Sequence, residues 1–184
     1  QPHSPWNRGN RDTYRDAELK VPPYLLDTKR TRQELVNYYA EISYADSLLG
    51  VCLDMIDNAG KFANTIVIFT SEQGSSLPFG KWTCYEQGLK TAFIMRWPGH
   101  VKPGSRNPIL AQYVDVLPTL LEIAGENPGK LQTGASVVNN DRGFDGRSFY
   151  DVLLGKKTKH RNYVFGIQTS RGIIAGPEAY AIRS

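Results

Sequence analysis

The sequence predicts an α/β fold: a partial mixed sheet with flanking helices, followed by the start of a small antiparallel C-terminal subdomain. The class follows from a long helical pattern that leads into a short apolar run, and from a second apolar run and a second helical pattern after it. The antiparallel C-terminal subdomain is predicted from two short apolar runs, 163–167 and 179–182, with no helical pattern between them. We expect the α/β part to occupy residues 1–158 and the subdomain to begin within 159–184.

The longest helical pattern covers about residues 31–58, and Gly60 provides its stop. Its apolar residues recur at alternating steps of three and four. They are Leu35, Tyr39, Ile42, Leu49, Leu53 and Ile56. Asp46 occupies the skipped position on this face, so we expect a buried carboxylate that hydrogen-bonds a neighbouring loop backbone rather than one that catalyses. Cys52 and Cys84 are expected to be buried thiols, with one disulfide as the alternative.

Two apolar runs in the middle of the chain indicate strands. Residues 65–70 are all β-branched or aromatic. Such an unbroken run is typical of a strand buried on both faces in a parallel sheet. Residues 92–97 form the second run. Pro118 then opens a further helix that ends at Gly125. This alternation of helical and apolar segments is what the α/β class requires.

The composition is that of an ordinary globular protein. The 184 residues are 40% hydrophobic and 22% charged, which argues against a disordered, collagen-like or coiled-coil chain. No stretch approaches the ~20 apolar residues of a membrane span, so no membrane partner is expected. The net charge of +4 weakly favours anionic partners, and we expect no nucleic acid among them. The dense basic run 156–161 is interpreted as a solvated turn, with a polyanion patch as the alternative.

Side chains suited to chemistry follow the first strand. In open α/β sheets, ligands bind beyond the carboxyl ends of the strands, and the sequence places Glu72 and Gln73 there. A carboxylate beside a carboxamide oxygen suits a hard cation such as Ca²⁺, and an ordinary acidic turn is the alternative. Lys81, in a glycine-bearing loop, can present an ammonium to an anionic group or lie on the surface without function. His3, in the segment Pro-His-Ser-Pro-Trp, is either a ligand on a rigid loop or a residue without function.

Several short segments, taken in order, carry a family resemblance. They are His-x-Pro-Trp, Thr-Ser-Glu-Gln-Gly, Gly-Lys, Tyr-Glu-x-Gly, Arg-Trp-Pro-Gly, Asp-Val-Leu-Pro-Thr-Leu-Leu and Phe-Asp-Gly-Arg-Ser. Over nearly its whole length the chain resembles the sulfatase family, most of all the branch with heparan N-sulfatase (N-sulfoglucosamine sulfohydrolase) and its bacterial relatives. The resemblance implies an alkaline-phosphatase-like α/β fold and the hydrolysis of sulfate esters or sulfamates on glycosaminoglycan-type sugars.

The same resemblance implies roles for the four candidate residues. Glu72 and Gln73 fall on the calcium ligands that follow the strand, where Asp followed by Asn or His is the commoner pair. Lys81 falls on the basic residue that contacts the sulfate. His3 falls on the histidine near the scissile bond, where an imidazole can protonate the leaving group. The implied cofactor is Ca²⁺, and the implied substrate is a sulfated sugar or glycosaminoglycan.

One hallmark of the family is missing from the chain. Sulfatases use a formylglycine made within a Cys/Ser-x-Pro-x-Arg motif, and neither Cys52 nor Cys84 lies in one. In the family this motif and the first acidic metal ligands lie toward the N-terminus. The chain therefore resembles a middle-to-late fragment, which we expect to be inactive alone and to hold calcium weakly.

The resemblance also implies a secreted, periplasmic or lysosomal location. Two alternatives to a sulfatase stay open. The first is a phosphoryl-transfer relative that shares the fold, because metal and ammonium serve phosphate equally well. The second is a non-catalytic module that binds sulfated glycans, with Glu72 and Gln73 as an evolutionarily diverged site.

Overall fold

The computed structural model describes residues 4–131 and 143–168, together with the strand 179–183. His3 lies outside these described residues. The fold is of the predicted α/β class, with helices and short sheets that alternate along the first part of the chain. Among the described residues no helix is long and apolar enough to span a lipid bilayer.

The chain forms two compact units. The first comprises Gln1–Pro98 with Gly166–Ala181, and the second comprises Gly99–Phe165 with Ile182–Ser184. The predicted division at residue 158 refers to the domains of a longer protein, and it stays a prediction.

The described helices and strands match the sequence pattern closely. The helices are α1 (Lys29–Asn58), α2 (Glu86–Leu89), α3 (Val116–Ile123) and α4 (Tyr150–Leu153). The strands are β1 (Val67–Thr70), β2 (Phe93–Arg96), β3 (Val164–Gln168) and β4 (Ala179–Arg183). β1 pairs with β2, and β3 pairs with β4. The predicted helices and strands are all present, whereas the single-turn helices α2 and α4 were not predicted.

In the first unit, α1 begins and ends at signals in the sequence. The Thr28 hydroxyl accepts the N–H of Thr31 at 3.1 Å, which satisfies a donor that the helix itself leaves unpaired. Beyond its last turn, Gly60 has a φ of +66°, which is a conformation that favours glycine. Among the described residues of this unit, the buried apolar ones come from the first half of α1 and from the loop before it. They are Trp6, Leu25, Leu35, Val36, Tyr38 and Ala40.

Two expectations about α1 are wrong. Asp46 is exposed, and the buried carboxylate of the helix is Glu41, which accepts the backbone N–H groups of Arg8 at 2.8 Å and Gly9 at 3.2 Å. The predicted role was correct in kind, but it belongs to another residue. Cys52 is also exposed, because the described residues cover the second half of α1 on only one side.

The pairing of β1 corrects a third expectation. β1 and β2 run antiparallel, with Val67 opposite Arg96 and Thr70 opposite Phe93. The residues of β1 are half-buried or exposed, so the part of the chain that the structure describes does not cover β1 on both faces. An unbroken apolar run predicts burial on both faces but does not reveal the direction of the neighbouring strand.

The second unit is organised around Asp115, whose side chain is fully buried. Its carboxylate accepts two hydrogen bonds from the Arg161 guanidinium and lies 3.1 Å from Nε2 of His160. The backbone N–H groups of Gln112 and Arg147 donate to it at 2.9 Å and 2.8 Å. Two of the five basic residues in the predicted basic run are therefore not part of a solvated turn, since His160 and Arg161 are nearly buried side chains that bind this carboxylate.

Candidate functional site

The candidate site lies in the first unit, in the loop that follows β1. The pairing of β1 with β2 extends into this loop, because the Ser71 N–H donates to the Ala92 carbonyl at 3.0 Å. The Ala92 N–H in turn donates to the Ser71 hydroxyl at 2.8 Å. The start of the loop is thus attached to the sheet immediately before Glu72 and Gln73.

Glycines let the loop fold back on itself. Gly74 is buried with a φ of +33°, and a β-carbon there would lie 2.6 Å from the Gln87 carbonyl oxygen and 2.7 Å from the Lys81 nitrogen. The Lys81 N–H donates to the Ser75 carbonyl at 2.7 Å. Only a glycine permits backbones to approach this closely. The loop therefore folds back toward its own first residues, which places Lys81 beside Glu72.

The predicted residues Lys81 and Glu72 form an ion pair. The Lys81 ammonium donates to a Glu72 carboxylate oxygen at 2.6 Å. The Lys81 side chain is only 7% exposed, whereas that of Glu72 is 45% exposed. A lysine is almost never this buried without a charged partner. Because an ammonium carries several N–H donors, it can hold a carboxylate and an oxygen of an incoming anion together.

Gln73 follows Glu72 and is half-buried. The carboxylate of Glu72 and the carboxamide oxygen of Gln73 fit calcium in kind, since calcium prefers hard oxygen ligands. They supply only part of a site, because calcium takes about six to eight oxygens. Among the described residues, no group of three or more His, Cys, Asp or Glu side chains could hold a metal ion.

The backbone on either side of Lys81 is strained. Phe79 has a φ of 62° and Trp82 a φ of 72°, and bulky residues seldom adopt this left-handed region. Such strain persists only where surrounding contacts impose it, and it concentrates at ligand sites. Sequence reasoning missed both residues, since no pattern of residue types signals a positive φ at Phe or Trp.

The comparisons with known proteins agree on one family. The sulfatase family model matches residues 1–126. An ulvan-active sulfatase from Formosa agariphila is 34% identical over 162 residues, covering 86% of this chain and 29% of that protein. An N-acetylglucosamine-6-O-sulfatase from Bacteroides thetaiotaomicron is 33% identical over 129 residues, covering 67% of this chain and 23% of that protein.

A solved structure shows the same fold. A phosphonate monoester hydrolase from Silicibacter pomeroyi matches with a TM-score of 0.57 at 23% identity, covering 86% of this chain and 30% of that one. The likeness confirms the predicted alkaline-phosphatase-like α/β class. The chain spans less than a third of the length of these relatives. The family model covers more than half of the chain and includes Glu72, Gln73 and Lys81; the chain belongs to the sulfatase family.

Proposed function

We propose that this chain is part of a hydrolase that removes sulfate from sulfated sugars. The observation that carries the proposal is the buried ammonium of Lys81, held against Glu72 beyond the carboxyl end of β1. A desolvated cation at this edge of a sheet is suited to an anionic group. The relatives named for ulvan and for N-acetylglucosamine 6-sulfate support a sugar as the carrier of that group.

In this proposal each predicted residue has one task. Lys81 binds a sulfate oxygen and stabilises the negative charge that develops on it as the ester bond breaks. His3 protonates the leaving oxygen or nitrogen of the sugar. Glu72 and Gln73 contribute two oxygen ligands to a calcium site, and calcium supplies further neutralisation of the sulfate when bound. The heparan-type N-sulfate is the finer proposal, with 6-O-sulfate as its alternative.

The proposal requires residues beyond this chain. Its nucleophile would be a formylglycine formed within a Cys/Ser-x-Pro-x-Arg motif, which the 184 residues do not contain. The same longer protein would supply the remaining calcium ligands. The 184 residues alone would then be inactive, and the longer protein would work in the periplasm, in lysosomes or outside cells.

The first test is to read the coding DNA upstream of Gln1 in the same frame. We expect a Cys/Ser-x-Pro-x-Arg motif with acidic residues nearby. The longer protein would then be assayed for sulfate release from glucosamine 6-sulfate and N-sulfoglucosamine, as wild type and as Lys81→Ala. Loss of the buried ammonium should lower kcat/KM by at least about a hundredfold.

Lys90→Ala is the matched control, because Lys90 is an exposed lysine of the same unit. It should leave kcat/KM unchanged. A Lys81→Ala enzyme as active as the control would contradict the proposal. Preference for a phosphate or phosphonate ester would favour the phosphoryl-transfer alternative. The non-catalytic module would be favoured by two results together. The longer protein would show no hydrolysis, and its salt-sensitive binding of heparin would persist in the double variant Lys81→Ala with His3→Ala.

A further inference from the structure

The second half of α1 carries an exposed apolar stripe, formed by Tyr44, Leu48, Val51 and Met55. These residues recur at steps of four, three and four, so they lie on one face of the helix. They are 36%, 49%, 56% and 67% exposed, respectively. Single exposed apolar residues are common on protein surfaces. Four in a row along about three helical turns form a continuous surface, and such surfaces mark contact sites.

The other side of this helical segment is apolar as well. Leu49, Leu53 and Ile56 are half-buried, and the exposed polar residues Ser47 and Asp54 lie on the face between them and the stripe. A helix that is apolar around most of its circumference is typically buried. The described residues cover this segment on one side only, so the stripe has no cover in the described part of the chain.

The sheet next to α1 in the chain is incompletely covered too. Among the described residues it contains only β1 and β2, whereas sheets usually have about four to six strands. The residues of β1 are half-buried or exposed although the strand is apolar. α1 leads into β1 through the connection 59–66, and the helices of an α/β fold pack their apolar faces on the sheet. Further strands would cover both elements.

The proposed function indicates where such strands come from. The chain spans less than a third of the length of its curated relatives. The nucleophile of the proposed hydrolase would lie before Gln1, and it must approach the sulfate that Lys81 binds. Lys81 and α1 belong to the same unit. The segment that carries the nucleophile must therefore pack against this unit.

We propose that the apolar stripe of α1 is the docking surface for the segment that precedes Gln1 in the longer protein, and that strands of this segment extend the sheet of β1 and β2. The inference rests on the proposed function, because it takes the preceding segment from it. Burial of the stripe stabilises the docked segment in proportion to the apolar area removed from water. It would also bring the nucleophile to the unit that contains Lys81.

The first test measures the oxidation of Met55 by hydrogen peroxide, with peptide mass spectrometry as the readout. Peroxide converts methionine to its sulfoxide, and a docked segment shields the sulfur. In the native longer protein, Met55 should oxidise at least about tenfold more slowly than in the same protein unfolded in urea. In the native 184-residue chain, where Met55 is exposed, the rate should stay within about threefold of the unfolded rate. If that chain does not fold alone, the comparison within the longer protein decides.

The second test places a charge on the stripe. Leu48→Glu should leave the urea midpoint of the 184-residue chain almost unchanged, because Leu48 is exposed there. In the longer protein the same substitution buries an unpaired carboxylate, so it should lower the midpoint by about 1 M or more, or abolish folding. Ser47→Glu is the matched control. It introduces the same charge one residue earlier, on the polar face, and should change neither midpoint.

A photoreactive amino acid at Val51 identifies the occupant of the stripe. Cross-links to residues that precede Gln1, within a product of monomer mass, are expected. Cross-links to a second copy of the molecule that disappear on dilution, or to residues that follow Ser184, would overturn the inference. Equal oxidation of Met55 in the native and unfolded longer protein would overturn it as well, as would a start codon directly before Gln1.

These outcomes do not depend on turnover, so they separate the inference from the proposed function. A longer protein that protects Met55 but releases no sulfate would retain the docking surface and overturn the proposed function. A longer protein that releases sulfate while Met55 stays exposed would retain the proposed function and overturn the docking surface.

Discussion

The two units each contain a carboxylate paired with a cation, and the two pairs differ in how completely they are enclosed. Asp115 is fully buried and pairs with Arg161, which is itself only 10% exposed. Glu72 is 45% exposed and pairs with Lys81, whose side chain is 7% exposed. Both members of the first pair are nearly or fully buried, whereas the second pair combines a nearly buried cation with a partly exposed carboxylate.

The difference separates a structural pair from a candidate functional one. The Asp115 oxygens accept two backbone N–H groups as well as the side chains of Arg161 and His160, which leaves little capacity for a ligand. The Glu72 side chain is 45% exposed, so an ion from solvent can approach its carboxylate. We infer that the enclosed pair stabilises the second unit and that the second pair, with its more exposed carboxylate, is accessible to a ligand from solvent.

The largest expected effect is that of Asp115→Asn. Removal of the negative charge leaves the buried Arg161 without its counter-ion, and a broken buried pair costs about 3–5 kcal/mol. The free energy of unfolding would be measured by urea titration followed by circular dichroism. If the variant does not fold, Asp115→Asn with Arg161→Met should recover structure, because it removes both charges together.

Asp151→Asn is the matched control for this prediction. Asp151 is an aspartate of the same unit that pairs with Lys157 at 2.7 Å, and both members of this pair are far more exposed than Asp115 and Arg161. The substitution should leave the unfolding midpoint almost unchanged. Equal destabilisation by the two substitutions would remove the distinction between an enclosed and an open pair.

A smaller effect should appear on acidification. Burial alone raises the pKa of Asp115, but hydrogen bonds from Arg161, Arg147, Gln112 and His160 outweigh it and lower the pKa to about 2. A carboxyl group with a lowered folded-state pKa stabilises the protein above its unfolded-state pKa, and this contribution is lost as the pH falls toward 2. The wild-type chain should therefore lose about 2 kcal/mol between roughly pH 4 and pH 2 through this group.

The measurement is the difference in unfolding free energy between wild type and Asp115→Asn across that range. The difference should shrink as the pH falls, because the variant has no carboxyl group to protonate at this position. A difference that stays constant from pH 4 to pH 2 would contradict the assigned pKa of about 2.

The contrast between the pairs also shows what the sequence could reveal. Local sequence allowed only separate interpretations of Glu72 and Lys81, and it was the resemblance to the sulfatase family that implied one shared site for them. Nothing local predicted the partners of Asp115, because Arg161 is 46 positions away. For the same reason the buried carboxylate of α1 was assigned to the wrong residue. A helical pattern identifies a face of the helix, but tertiary contacts determine that Glu41 rather than Asp46 meets the N-terminal loop.

The smallest expected effect is the coupling between Glu72 and Lys81. A double-mutant cycle with Glu72→Gln and Lys81→Met should give a coupling energy of about 1 kcal/mol or less, because solvent reaches the carboxylate and screens the pair. The corresponding cycle with Asp115→Asn and Arg161→Met should give a clearly larger value. If the Glu72 cycle matched the Asp115 cycle, the carboxylate would be locked to the ammonium, and exchange with a cation or a sulfate group would carry a cost that the open pair is expected to avoid.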